Sequence, residues 1–555
     1  MEIDLLVMFA WVIFPLLLLA ICAGLGLLVD ALAGRRLPGA LVAPAGLAAL
    51  IVVMQAMTLA SATADYAASL AILLAGVGAV ATLPWRFGRP GPWPLAAALA
   101  VFALFAAPVV LSGDPIFASY GDLGDTVTWL AIAERVVEHG RSLEDLAPST
   151  YKANLDATLA AGEPVGAVLP LTPTQRLFGG EVAWSFQPYL ASLGALLSLC
   201  VWQLVAGPHG PALDSRSPAL FAFLAAVPAL VFGYAGWVGV QELTAVTLIA
   251  LVVALALQPR HGETHSGPTT PSMRFTARAP LGIAALALLA VLAPWPPSFP
   301  LQPDAWPATA TLAAFVAATV ALGLWVASAR RPVAFSAFAA ALTACALLAS
   351  SGVSLAPYGQ LTELRQVNER YYDQGPALVF ERTPYGSRYF LRDVPPDDAA
   401  DPGRQSEIPL SAASREGEPI DTDQIDFRAL LAYSLLVLPR SPEQSRPPLP
   451  YRRIWLGEHY EVWRLPPTAT FRLLFHMPIG GPLDAAALPN CPETVGLGLL
   501  ALANQLGAAP QDISLIAAAP RQGDRLGLTV AVPPDRASDL CGRRWDWIEA
   551  ISPAG

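Results

Sequence analysis

The stretch LLVMFAWVIFPLLLLAICAGLGLLV decides how this chain is read, because it runs from Leu5 to Val29 without a charge. A hydrocarbon core about 30 Å thick is crossed by roughly 20 apolar residues of α-helix, so this run is long enough to span a bilayer. Its flank argues that the segment is retained. The chain starts MEID, which is acidic, whereas a cleaved secretory signal has a basic start and a shorter apolar run. The remainder has the same character: of 555 residues, 54% are hydrophobic and 14% charged, with a mean hydropathy of +0.50. That composition belongs to a membrane protein.

Apolar runs predict further spans at 39–60, 67–84, 94–111, 185–206, 218–235, 241–257, 280–296, 307–328 and 332–353, about ten with the first. Arg35 and Arg36, Arg86 and Arg89, Arg216, then Arg260, Arg274 and Arg278, then Arg330 and Arg331 fall in every second connection. The alternate connections contain SATAD, GWVGVQ and PPSFPLQPDAW, with no basic residue. Short cytoplasmic loops retain arginine, so the alternation predicts a multi-pass protein of the cell membrane with both termini outside. The expected fold is mostly α, a polytopic membrane helical bundle with an exported C-terminal α/β domain. Its parts are three spans in residues 1–93, seven spans in 94–355 with an outer loop at 112–184, and a soluble domain at 356–555.

In that last part, LLVLP, YRRIWLGEHYEVWRL and RLGLTVAVP read as strands. Gly457 and Glu458 are expected to turn a hairpin in the second of these. A helix is expected at PETVGLGLLALANQLG, ending on Gly507. The polar run DAADPGRQSEIPLSAASREGEPIDTD is expected to be a mobile loop. Trp455, Tyr460 and Trp463 either stack on sugars or lie half buried in a sheet. Trp545 and Trp547 either touch the membrane interface or pack inside the domain.

Several chemistries are unsupported. The only lysine, Lys152, lies in neither a P-loop nor a Schiff-base context, and neither HExxH nor CxxC occurs. His261 and His265 have no acidic or cysteine companions and read as solvated. With a net charge of −10, nucleic acid is not among the expected partners. Cys22, Cys200 and Cys345 fall in predicted spans and read as small buried residues. Cys491 and Cys541 fall in the exported part, where an oxidising compartment would pair them, two free thiols being the alternative.

Two aspartates interrupt the apolar pattern in GDLGDTVTWLAIAERVVEHG, residues 121–140. Trp129, Ile132, Ala133, Val136 and Val137 recur at helical spacing, and Gly140 is a stop signal, so an amphipathic helix at the outer membrane surface is expected. Asp125 stands where an N-cap belongs and Asp122 where a turn residue belongs. A carboxylate in that place can also take a proton from an incoming hydroxyl. Here the arrangement resembles the type C glycosyltransferases, membrane enzymes that take sugar from a polyprenyl-phosphate carrier. The likeness covers residues 94–355 as architecture, and as sequence only the short segment around D…WLAIAERVVEHG. It implies a glycosyltransferase-like module in which Asp125 is the first choice and Asp122 the second for the acid that activates the acceptor. A divalent metal is the candidate cofactor, although the Asp-x-x-Asp spacing departs from the Asp-x-Asp of many members.

Glu242, with Gln241 before it, lies where an outer connection enters a predicted span, and a carboxylate there is a functional candidate or a first-turn acid. Members of the superfamily often have a similar Gln or Lys before Glu at this kind of position. The polyprenyl phosphate needs a cation, and Arg176 and Lys152 are those available in the remainder of the outer loop, KANLDATLAAGEPVGAVLPLTPTQRLFGGEVAWSFQPYL, beside Glu181 and Gln187. The RSP…SRPP and YEVW elements of the tail resemble multi-span proteins of unknown function from high-GC bacteria. The leading expectation is a transferase acting on the outer face, with a cell-envelope glycan or protein as acceptor. A transporter is disfavoured by spans nearly free of charge. The other alternative is a non-enzymatic multi-span protein whose exported domain binds cell-envelope glycans or a partner protein.

Overall fold

A computed structural model describes residues 8–292 except 34–36, 83–90, 119–124, 179–180, 207–215, 229–230, 234–238 and 259–278. It further describes residues 355–554 except 382–385, 402–403, 405–407, 409–419, 469 and 482–483. The predicted spans at 307–328 and 332–353, together with Asp122, His261, His265 and Cys345, lie outside the described residues. Two compact units are present: residues 1–145 with 155–358, and residues 146–154 with 359–555.

The first unit is helical. After a π-helical turn at Phe9–Ile13 come α1 (Phe14–Leu32), α2 (Gly39–Met57), the short α3 (Ser61–Ala64), α4 (Ala67–Thr82) and α5 (Pro92–Val110). The loop that follows holds α6 (Asp125–His139), α7 (Thr150–Ala160) and α8 (Thr172–Phe178). Then come α9 (Phe186–Ala206), α10 (Arg216–Ala226), α11 (Val240–Ala256) and α12 (Ala279–Leu292).

Among the described residues, four helices are long and apolar enough to cross a membrane: Phe9–Leu32, Gly39–Met57, Pro92–Val110 and Val182–Ala206. The runs expected as spans at 67–84, 218–235, 241–257 and 280–296 form shorter apolar helices, of 10–17 residues by the same measure. Proline is the physical reason in one of them: Pro228 follows the end of Arg216–Ala226, and proline cannot continue a helix, while residues 83–90 and those after 292 lie outside the described residues.

Small residues set how closely these helices approach. A methyl group on Gly46 of α2 would overlap the Cys22 carbonyl of α1, and one on Gly26 of α1 would overlap the Val42 carbonyl of α2. Without a hydrophobic drive between helices in lipid, such close backbone contact supplies the packing. Helix α9 is heavily enclosed, packing against α2, α5, α10 and α11 and leaving few residues accessible.

The described residues of the second unit form two sheets. In the first, the strand order is β2 (Pro396–Asp398), β1 (Ala377–Val379), β3 (Leu435–Pro439), β5 (Tyr460–Arg464), β4 (Arg452–Leu456). β1 is parallel to both β2 and β3, and the remaining pairs are antiparallel. The second sheet is antiparallel, in the order β6 (Phe471–Pro478), β9 (Trp547–Pro553), β7 (Ser514–Ala518), β8 (Thr529–Val532). Helices α13 (Tyr358–Arg370), α14 (Phe427–Leu430) and α15 (Cys491–Leu502) accompany them.

The expected hairpin is β4–β5, with Gly457 N–H donating to the Tyr460 carbonyl at 2.8 Å. Its turn is held by the Glu363 carboxylate of α13, which accepts backbone N–H groups from Glu458, from His459 at 2.8 Å and from Tyr460 at 3.0 Å. Cys491 and Cys541 form a disulfide, while Cys22 and Cys200 are buried thiols. One expectation needs correction, one pair of alternatives is decided, and the polar run is described only near its ends, most of its middle lying outside the described residues. Helix α15 ends at Leu502, before Gly507, and Asn504 takes the left-handed conformation first, at φ 57°. Trp545 and Trp547 are buried in the domain, their indole N–H groups donating to Leu540 and Arg446 carbonyls, so neither reaches a membrane. The ends of the polar run 398–423 are also interior, with Asp398, Asp401, Asp421 and Thr422 all buried.

Candidate functional site

Asp125 is the first described residue of α6, so its expected N-cap role lies outside the described residues, and Gly140 ends the helix at φ +71°. The helix does not lie on a surface. Glu138 and His139 are exposed and Thr128 is half buried, but Glu134 and Arg135 are enclosed along with the apolar residues between them. The amphipathic pattern is present, but part of the polar face meets protein instead of solvent. The Arg135 guanidinium donates to the Ser142 carbonyl at 2.6 Å and pairs with Asp145, whose carboxyl its hydrogen bond holds below the usual range.

Helix α6 packs against α3, α8 and the turns Leu169–Leu171 and Val182–Ser185. The same loop meets several other elements. Leu169–Leu171 packs against α2, and Val182–Ser185 against the turn Phe9–Ile13. Gly166 N–H donates to the Ala290 carbonyl of α12 at 3.2 Å. The Tyr189 hydroxyl of α9 donates to the Ala167 carbonyl at 2.7 Å. Residues 117 and 118 bridge to 355 and 356, with Ala356 N–H on the Phe117 carbonyl at 3.0 Å. The loop at 112–184 thus touches the start of the first long helix, the start of α9, the end of α12 and the connection holding α3.

Glu242 is half buried in the first turn of α11. Beside it, Gln241 is buried and donates its amide to the Val291 carbonyl at 2.9 Å, next to the carbonyl that Gly166 uses. Gln241 therefore fastens α11 to α12. Helix α6 lies within the loop at 112–184, and the start of α11 is linked to the same loop through neighbouring carbonyls of α12. Arg176 falls in α8, but its side chain, like that of Asp125, lies outside the described residues. Lys152 is half buried and belongs to the second unit, in the segment 146–154. Among the described residues, no three His, Cys, Asp or Glu side chains are grouped to hold a metal ion.

The second unit contains two buried charged networks that the sequence reading did not single out. At the carboxyl ends of the parallel strands, Glu381 accepts from the Tyr460 hydroxyl at 2.7 Å and from Ser387 N–H at 3.0 Å. Asp398 accepts from the Ser387 hydroxyl at 2.7 Å and from Ala400 N–H at 2.9 Å, and its own N–H donates to the Thr150 hydroxyl at 2.9 Å. Burial pushes Glu381 up to about 7, and burial with the Glu381 charge pushes Asp398 up as well.

The other network centres on His476 of β6. Its Nδ1 lies 2.8 Å from Glu549 of β9, and its Nε2 lies 3.4 Å from Asp423. Burial disfavours the imidazolium, but the two carboxylates outweigh it and bring His476 to about 9. Glu549 also accepts from Leu449 N–H at 3.1 Å, and Asp546 from Arg446 N–H at 3.1 Å. Burial, with the nearby Asp423 charge, pushes Asp546 up to about 8. The signal in the sequence was a charge within an apolar strand: His476 in FRLLFHMP, and Asp546 and Glu549 in WDWIEAI. No protein-family model, curated protein or solved structure matches this chain.

Proposed function

We propose that this chain is a membrane glycosyltransferase that moves a sugar from a polyprenyl-phosphate donor to a glycan or protein acceptor on the outer face of the cell membrane. In this reading the helical unit crosses the bilayer about ten times with both termini outside. The acceptor hydroxyl attacks the anomeric carbon, Asp125 takes its proton, and the bond from that carbon to the phosphate oxygen breaks, the electron pair leaving with polyprenyl phosphate. Asp122 and Glu242 are the further acids of the site, and Arg176, of the same unit, is the candidate cation for the phosphate.

The observation that carries the reading is the linkage of both acid-bearing helices to one loop. Helix α6, within the loop at 112–184, packs against Leu169–Leu171, and the start of α11 is tied through Gln241 to the Val291 carbonyl, next to the Ala290 carbonyl that accepts Gly166 N–H of the same loop. That supports two carboxylates at the same end of an apolar helical unit, where a lipid-borne donor would present its phosphate.

The test is transfer from a polyprenyl-phosphate sugar in vesicles containing the full chain. Asp125→Asn is expected to abolish transfer while the protein stays inserted and folded, since a general base typically contributes about 10²- to 10⁴-fold. Full activity in that variant would remove Asp125 from the reaction. No transfer by the unaltered protein from any such donor would favour the binding-protein alternative.

A further inference from the structure

The second unit presents an apolar helix face that none of its described residues covers. Helix α15 buries Thr494, Leu497, Gly498 and Ala501 against the domain. On its outer side Leu499, Leu500 and Leu502 are 61%, 40% and 44% exposed, and Leu488 just before the helix is 64% exposed. From Thr494 to Pro510 the sequence has no charged residue. A soluble surface helix ordinarily alternates an apolar stripe with a charged one, and this helix has leucines on both sides.

The leucines are also held in place. The Cys491–Cys541 disulfide fastens the start of α15 to the end of the turn Pro534–Leu540, and Gly498 sits so close to the Pro534 carbonyl that a methyl group would collide at 2.5 Å. The patch is a fixed part of the fold, unlike a frayed end. Arg543 and Arg544, both exposed and just beyond Cys541, place cationic side chains near the start of this helix, Arg544 pairing also with Asp484.

We propose that α15 is a membrane-contacting helix, its leucines seated in the headgroup boundary of the bilayer with the neighbouring arginines at the phosphates. The occupant is argued from the chain itself. Four described helices of the same polypeptide are long and apolar enough to cross a membrane, so lipid is held at high local concentration by covalent linkage. A short helix with apolar residues outward and arginines at its flank is the arrangement that binds in the interfacial plane. This inference concerns the second unit and is independent of whether the helical unit transfers sugar.

The experiment uses the full chain in phosphatidylcholine–phosphatidylglycerol vesicles. Cys22, Cys200 and Cys345 are replaced by alanine and one nitroxide label is attached at Leu499→Cys, or as a control at the exposed Arg452→Cys. The label at 499 is expected to collide with dissolved oxygen in preference to a water-soluble nickel chelate, and the label at 452 to show the opposite preference. If the label at 499 behaves as the one at 452, the helix faces water and the proposal fails. It also fails if the label at 499 is shielded from both reagents to an extent that depends on protein-to-lipid ratio, since a second copy then covers the leucines.

Discussion

His476 carries the densest buried charge described in the second unit, with Glu549 on one ring nitrogen and Asp423 near the other. Asp421 and Asp546 complete the acidic side and Arg446 adds a cation. Because its folded pKa of about 9 exceeds the ordinary value of 6.5, the imidazolium stabilises the fold fully below pH 6.5, and that contribution is lost as pH rises through 9. Replacing it, His476→Gln, leaves two buried carboxylates without their cation, a loss on the order of 3 kcal/mol near neutrality. Thermal unfolding followed from about pH 6 to about pH 10, which brackets both values, checks this. The gap between the two proteins should narrow as pH rises, and a constant gap would show that His476 is neutral. At this scale the sequence was partly legible. Asp125 announced itself by preceding an uninterrupted helical pattern, whereas His476 lies in a strand whose charged partners come from far earlier and far later in the chain. No local periodicity encodes such a meeting.

Helix α2 depends on Gly46 because its backbone rests on the Cys22 carbonyl, while Gly76 of α4 has open space around it. Gly46→Leu should therefore lower stability by roughly 3 kcal/mol, as overpacked cores do, and Gly76→Leu should do little. Thermal denaturation in detergent distinguishes them, and equal effects would point to helix propensity or lipid contact instead of packing. Among the elements, the β4–β5 hairpin was readable from Gly457 and the aromatic strands, but its fastening to Glu363 was not, since that residue lies 95 to 97 positions earlier. The apolar run at 218–235 overstated its helix, which ends at Ala226, because summed hydropathy is blind to a proline such as Pro228 that removes a backbone donor. The amphipathic pattern of α6 was real, yet part of its charged face turned out to be enclosed by protein.

The molecule is two units joined by more than one crossing of the chain, since residues 146–154 fold with the C-terminal part. Within the second unit the disulfide closes a separation of 50 residues, which in the chain-entropy account is worth roughly 4 kcal/mol. Reduction should lower the unfolding temperature of the sheets while leaving the helical unit's transition in place, as two-component calorimetry would record. A single transition that moves as a whole would mean that the units unfold together. By itself the sequence determined that the chain is apolar enough for a membrane, where its apolar helices and strands β3, β4, β5 and β8 fall, and that its last third differs from the rest. Those properties follow from composition and from periods of 3.6 and 2, which are local. Which acids sit beside which helices, that Arg135 and Glu134 are interior, and that His476, Glu549 and Asp423 form one cluster were decided by tertiary structure. Burial and charge pairing depend on residues distant in the chain, and only packing brings them within reach.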